Sequence, residues 1–500
     1  MNRREFLAAT PAAAVAAAQP AAITIDPKPL FDISPYLYMQ FMEPLGITDG
    51  SVEAAWDYDT DDWRKDLIET VKDLAPDVIR WGGLFSRYYK WREGVGPVAS
   101  RRPMRNYVWG GLETNRVGTH EFVDFCRRTG AEPLYCVNFL GDGVHYGEGR
   151  TGDAEEAAGW VSYANDPDNP ERKRHGVSRP YGIKLWQLGN ETSCGRQHFT
   201  LEETITHTIS FAKAMRARDP SIQLIGWGDR EGRGELWAGE LLKRAGEHLD
   251  YVAIHMMGMS PRRRDTVLRG IRYQKDPQAA WEELLELTTV VEKRVVELEQ
   301  VLTAGRFSQG IAITEGHLSL QPHNANPILC EWLSAAYHAR SLNIYQRHGA
   351  KVKIATAADF AGTRWTVNAV MMQTPRGVSY LLPVGSIMRL FKRHNGKQGI
   401  AVQAPPDLDI AASRTGDKIF LHVANLRYRG SVQAAFSVAG MRIVSGRVFE
   451  IAPEDLRTAV SQDEPDVFAP RERAISNPQA AAWQFPAGSV SAVELEVAPL

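Results

Sequence analysis

Apolar positions between about residues 34 and 385 alternate between two rhythms. Residues 63–74 repeat their apolar side chains every three to four positions, as a helix with one buried face does. Pro76 ends that run, and Val78-Ile79-Arg80-Trp81 follows as a short strand. The same helix-then-strand order recurs at 120–129 with 133–138, and at 200–217 with 222–225. The second of these helices opens on a capping box of Thr200 and Glu203. A strand at 251–255, a long helix over 276–302, and a strand at 310–315 come next. A helix over 327–347 and a strand at 352–355 complete the series. Repeated units of this kind imply a parallel sheet. About eight of them predict an α/β fold of the closed (β/α)8 TIM-barrel type. No G-x-G-x-x-G or phosphate-binding loop stands at a strand-to-helix turn, which counts against a nucleotide-binding sheet.

After about residue 395 the rhythm changes to short runs of period two, at 400–404, 418–423, 431–436, 444–451 and 490–497. These predict a C-terminal β-sandwich, to which 22–25 could add a strand. The expected division is a leader over 1–22, a joining strand over 23–33, a barrel over 34–388 and a sandwich over 389–500.

Two predicted strands end on carboxylic acids. One runs Leu185-Trp186-Gln187-Leu188, stops at Gly189 and presents Asn190 beside Glu191. The other, Gly310-Ile311-Ala312-Ile313-Thr314-Glu315, is broken by Gly316. The C-terminal ends of barrel strands converge on one mouth. Two glutamates there can face each other across a substrate, as cleavage of a glycosidic bond requires.

The remaining features narrow the setting. Arg3-Arg4 followed by Phe6-Leu7 and an alanine-rich run to about Ala22 has the form of a twin-arginine export signal. It predicts an exported, periplasmic or extracellular protein. No segment offers the roughly 18 consecutive apolar residues of a membrane span. A net charge of −2 gives no reason to expect nucleic acid or an anionic membrane as partner. The four cysteines are scattered without a C-x-x-C pair, and no acidic or histidine cluster has metal-ligand spacing. Neither a cofactor nor a metal is therefore expected.

These residues together resemble glycoside hydrolase family 51, the retaining α-L-arabinofuranosidases. Phe41-Met42-Glu43 resembles the family's first strand. Residues 78–83 resemble its Arg-aromatic-Pro-Gly-Gly turn, and Tyr89-Lys90-Trp91 with 94–97 the loop that follows. Residues 109–122, 130–138, 160–165, Gly189-Asn190-Glu191 and 219–222 follow in family order. The resemblance implies that Glu191 is the general acid/base and Glu315 the nucleophile, on strands four and seven. It implies that Asn190 and Glu43 bind sugar hydroxyls and that His255 orients the nucleophile or touches the sugar. Asn138 and Trp91 are further site candidates. The substrate would be a terminal arabinofuranosyl group of a plant polysaccharide or oligosaccharide. Family members often form oligomers, so a homo-oligomer is compatible with the resemblance.

Bland readings stand beside these. Glu43 could be a buried carboxylate paired with Arg80, His255 a satisfied core histidine, and Asn138 and Trp91 rim packing. The acid role also predicts a raised pKa on Glu191 in the free protein. Departures from the family pattern concern the pocket wall. The Asp-Glu-Trp around the nucleophile is here Thr314-Glu315-Gly316-His317, and Met256-Met257-Gly258 replaces a tyrosine after His255. The turn proline is missing, Leu84 replaces a polar residue, and Thr356 and Asp359 stand where Asn and Gln are usual. Trp365 is available as an aromatic wall. Retaining hydrolysis is thus better supported than arabinose specificity. A galactofuranoside, a β-xyloside, or a barrel that only binds carbohydrate are the alternatives.

Overall fold

The computed structural model describes residues 21–50, 52–147, 149–195, 198–230, 236–256, 264–373 and 377–500. The export signal lies almost wholly outside the described residues.

Eight parallel strands form the barrel: β2 (Met39–Met42), β3 (Val78–Trp81), β4 (Glu132–Val137), β5 (Leu185–Leu188), β6 (Gln223–Trp227), β7 (Tyr251–Met256), β8 (Gly310–Gly316) and β9 (Val352–Ala355). Each hydrogen-bonds to its neighbour in chain order. A parallel bridge between Tyr38 and Ala355 brings the first strand against the eighth. Their side chains are buried on both faces, which is why these segments read as unbroken apolar runs. Helices α1 (Lys65–Leu74), α2 (Thr119–Thr129), α3 (Ala154–Asn165), α4 (Leu201–Arg218), α5 (Ala238–Ala245), α6 (Pro277–Gly305), α7 (Ala335–Arg347) and α8 (Pro383–Arg393) follow the strands in turn. Tyr135, Trp160 and Trp186 pack between strands and helices with ring centres 4.5 to 5.6 Å apart.

Three expected boundaries shift, each for a tertiary reason. The helix expected from residue 63 begins at Lys65, because Trp63 pairs with Trp56 in a two-stranded ladder. The helix expected over 327–347 is two 3-10 turns followed by α7. Glu331 separates them in extended conformation, held by Arg457 and by a bridge to Ala459. The barrel also runs past residue 388, because α8 continues to Arg393 and buries Leu390 and Phe391.

The second domain is one nine-stranded sheet folded over its own core of Ile23, Ile25, Leu421, Val423, Phe436, Phe485, Val493 and Leu495. Strand β1 (Ala21–Asp32) lies between β10 (Gln398–Gln403) and the segment Val432–Val438. It is antiparallel to the first and parallel to the second, so the sheet is mixed. β1 begins at Ala21, two residues inside the span assigned to the leader. Trp332 ties the domains together: its indole is fully buried, donates to the carbonyl of Gly488 at 2.9 Å and stacks near Phe468.

Candidate active site

Glu191 and Glu315 meet at the C-terminal mouth of the barrel. Glu315 is the sixth residue of β8. Glu191 lies three residues beyond the end of β5, after Gly189 turns the chain with φ of +74°. Carboxylate oxygens of the two and a ring nitrogen of His255 lie within 4.8 Å of one another. That suits a retaining pair, whose carboxyls stand about 5 Å apart.

Each carboxylate has its own surroundings. Glu315 is nearly fully buried and accepts from Arg80 Nη1 at 2.9 Å. Arg80 points inward from β3, and its remaining donors go to Gln187 at 2.7 Å and to the Asn190 side-chain oxygen at 2.5 Å. One buried guanidinium therefore fixes the nucleophile candidate and its neighbouring amide together. Asn190 Nδ2 is buried and finds no partner among the described residues, leaving a donor for a ligand hydroxyl. His255 stands between the glutamates: Nδ1 is 3.0 Å from Glu191 Oε1 and 3.7 Å from Glu315 Oε2, while Nε2 meets Thr314 Oγ1 at 3.1 Å.

Glu191 departs from its expected titration. Burial raises its pKa, but the hydrogen bond and charge of His255, with Arg87 and Arg80 behind, outweigh burial and pull it down to about 2. The raised carboxyls are instead Glu43, pushed well above its ordinary range by burial and then by the charge of Glu315, and Asp142, raised to about 7 by burial against the opposing charge of Arg87. The sequence shows that acids cluster here; only the packing decides which of them keeps the proton.

Glu43 is not the ion-pair partner of Arg80 at hydrogen-bond range. Its Oε1 accepts from the Phe85 amide and from Trp109 Nε1, both at 2.8 Å. Trp109 in turn meets Trp365 edge to face with centres 5.5 Å apart, making an aromatic side to the site. Gly83 (φ +127°) lets the backbone pass beside Glu43: a β-carbon there would lie 2.1 Å from Oε2. Gly83→Ala is expected to displace Glu43 and raise KM for the glycoside. It should also cost about 1–3 kcal/mol through backbone strain, read as a lower midpoint in denaturant.

Asn138 and Trp91 are not brought into this group. Asn138 bonds the carbonyls of Tyr89 and Arg150 and the amide of Gly141, so it holds a loop. Trp91 is buried against Trp160 and donates to the Glu156 carbonyl in α3. In both, the rim-packing reading describes the contacts.

The structure adds residues that sequence reasoning did not assign to the site: Arg80 as the partner of Glu315, and Arg87, Asp142, Gln187, Trp109 and the pair His317–Asp359. Arg80 left a trace, a charge inside an otherwise apolar strand. The pair left another, since His317 and Asp359 are two separate departures from the family pattern. Their side chains bond each other at 2.6 Å, both nearly inaccessible. The two substitutions are thus one event in space, and the Asp359 charge outweighs burial to hold His317 above its ordinary pKa.

Glu191, His255 and Glu315 also have the donor set of a metal site. Two guanidiniums argue against that use. Arg80 occupies Glu315, and Arg87 stands 3.7 Å from Glu191 Oε2, so a dication would enter beside two fixed positive charges.

The family model described as Alpha-L-arabinofuranosidase 1 domain matches residues 70–274, which include Glu191 and His255. The matched part of the chain is thus similar in sequence to α-L-arabinofuranosidases. It is 33% identical over 237 residues to an intracellular exo-alpha-(1->5)-L-arabinofuranosidase of Acetivibrio thermocellus, covering 45% of each chain. It is 34% identical over 244 residues to an exo-alpha-(1->6)-L-arabinofuranosidase of Bifidobacterium longum, covering 45% of this chain and 44% of that one. The aligned region thus spans a little under half the length of these curated relatives. The family 51 fold extends further: a GH51 alpha-L-arabinofuranosidase structure from Thermotoga petrophila superposes with a TM-score of 0.79 at 23% identity, covering 95% of this chain and 100% of that one.

Proposed function

We propose that the protein is a retaining exo-glycosidase that releases terminal α-L-arabinofuranosyl groups from plant polysaccharides or oligosaccharides. The observation that carries this is the approach of the Glu191 and Glu315 carboxylates to within 4.8 Å, with His255 between them.

Glu315, held by Arg80, attacks the anomeric carbon as the bond to the leaving oxygen breaks. Glu191, hydrogen-bonded to His255 at 3.0 Å, delivers the proton that this oxygen needs and is left ionised. The product of this half is a glycosyl ester on Glu315 and a free alcohol. Glu191, now ionised, takes a proton from water, which attacks the same carbon and releases the sugar with its configuration retained. Asn190 Nδ2 and Glu43 are the hydroxyl-binding groups of this reading. The matched relatives differ in the linkage named for them, (1->5) in one and (1->6) in the other, so linkage is left to experiment.

The test is a panel of 4-nitrophenyl glycosides. α-L-Arabinofuranoside should be cleaved with the highest kcat/KM. A preference for the β-D-galactofuranoside or β-D-xyloside would keep the mechanism and change the sugar. No turnover of any member would reject the enzymatic reading and leave a carbohydrate-binding barrel.

Export by the twin-arginine route is part of the proposal, supported by Arg3-Arg4 and the alanine-rich run after them. Among the described residues no helix is long and apolar enough to cross a membrane. Replacing both arginines by lysine should leave the protein in the cytoplasm; unaltered export would refute this route.

A further inference from the structure

The backbone that presents Glu191 is strained. Glu191 itself has φ of +56°, and Leu140 and Asp142, on the loop facing it, both have φ of +51°. Non-glycine residues in this region carry strain and persist only where surrounding contacts enforce them.

Here the enforcing contacts converge on one ion pair. Arg87 Nη2 donates to the carbonyls of Asn190 at 3.0 Å and Glu191 at 3.2 Å. Arg87 Nε donates to Asp142 Oδ2 at 3.1 Å, and the same oxygen accepts the Asn190 amide at 3.1 Å. The backbone around Glu191 is thus gripped from both sides, at the Asn190 N–H by Asp142 and at the Asn190 and Glu191 carbonyls by Arg87. Both side chains are almost wholly buried, and they come from different loops, after β3 and after β4. Gly189 completes the fit, since a β-carbon there would lie 2.5 Å from Asp142 Oδ1. Arg87 also stands 3.7 Å from Glu191 Oε2, so it reaches the carboxylate as well as the backbone.

We propose that the Arg87–Asp142 ion pair is the positioning device of the acid/base glutamate, holding its left-handed backbone and keeping a fixed positive charge against its carboxylate. This deepens the proposed function and rests on the reading of Glu191 as acid/base. Among the described residues, the charged and titratable groups around Glu191 are His255 from β7, Glu315 from β8, Arg80 from β3, and Arg87, Asp142 and His198 from loops. Removing the Arg87 cation leaves fewer positive charges opposing a proton. Glu191 then keeps a proton to higher pH.

The experiment compares the wild-type chain with Arg87→Met, Arg87→Lys and Asp142→Asn, using one glycoside with a poor alkyl leaving group and one with an activated nitrophenyl group. Arg87→Met should lose about 10²-fold in kcat/KM on the alkyl glycoside through misplacement of the acid. It should lose far less on the nitrophenyl one, which needs little protonation. The alkaline limb of its pH profile should rise by about one unit, the ordinary size of a neighbouring-charge effect. Arg87→Lys should restore the limb but not the alkyl activity, because it keeps the charge and loses the fork that spans two carbonyls. Equal losses on both substrates with an unmoved limb would overturn the proposal and leave Arg87 as packing. Should Arg87→Met fail to fold, Arg87→Lys and Asp142→Asn decide by the substrate comparison alone: equal losses overturn it, and a selective loss on the alkyl glycoside supports it. A wild-type chain that hydrolyses nothing would refute the parent reading of function; a wild-type chain that works beside indifferent variants refutes only the positioning role.

Discussion

Glu315→Ala is expected to lower kcat by roughly 10⁴-fold or more, in line with the removal of other enzymatic nucleophiles. The variant should fold, since truncation removes one of two charges that meet in the site. It does leave Arg80 buried with one donor unmatched, so a stability loss of about 3–5 kcal/mol, read as a lower denaturation midpoint, is part of the expectation. Two readouts separate lost chemistry from lost structure. Ligand binding to Glu43 and Asn190 should survive, measured by calorimetry with arabinose. Added azide should restore turnover of an activated aryl glycoside and yield the glycosyl azide of inverted configuration, because the small anion enters the space left by the carboxylate. Full activity in Glu315→Ala would remove this residue as nucleophile.

Glu191→Ala is the second large effect, and its size should depend on the substrate. General acid catalysis contributes about 10²–10⁴-fold, and it matters most when the departing oxygen is a poor leaving group. An alkyl or sugar aglycone should therefore lose nearly that whole factor in kcat/KM, and a dinitrophenyl glycoside little of it. On the activated substrate the second half-reaction then becomes slow, because no base remains to activate water. A burst of nitrophenol, followed by a slow steady state with Glu315 esterified, is the expected time course. Uniform loss across leaving groups, with no burst, would count against Glu191 as acid.

These outcomes bear on an apparent conflict. A general acid should hold a proton, yet Glu191 is pulled down to about 2. The physical resolution is in the pairing with His255 at 3.0 Å. Proton transfer across that hydrogen bond would give the acid form that the leaving oxygen requires. Sequence reasoning treated the acid/base and nucleophile as an isolated pair of like charges, and for such a pair a raised pKa is correct. It left out the histidine and two guanidiniums that the closed barrel brings in from β3, β7 and the loop after β3.

Local order was legible because it is written in neighbouring residues. The periods of the apolar side chains, the capping box at Thr200 and Glu203, the breaks at Pro76 and Gly189 and the endings on Glu191 and Glu315 all act within a few positions along the chain. They suffice for a βα barrel, a β-rich domain after it, and two carboxylates at the same mouth, because strand direction alone sends both to one end. Asn138 and Trp91 show the limit of such reasoning. Each lies in a segment of family-like sequence, and each spends its polar atoms on backbone groups instead. What the fold alone decided are the pairings across long sequence separations: Arg80 with Glu315, Arg87 and Asp142 with the turn before Glu191, His317 with Asp359, and Trp109 with Glu43. Nothing in a local pattern encodes them, since the energy of a charge or hydrogen bond depends on distance in space and on exclusion of water. Both arise only when strands far apart in sequence close into one barrel.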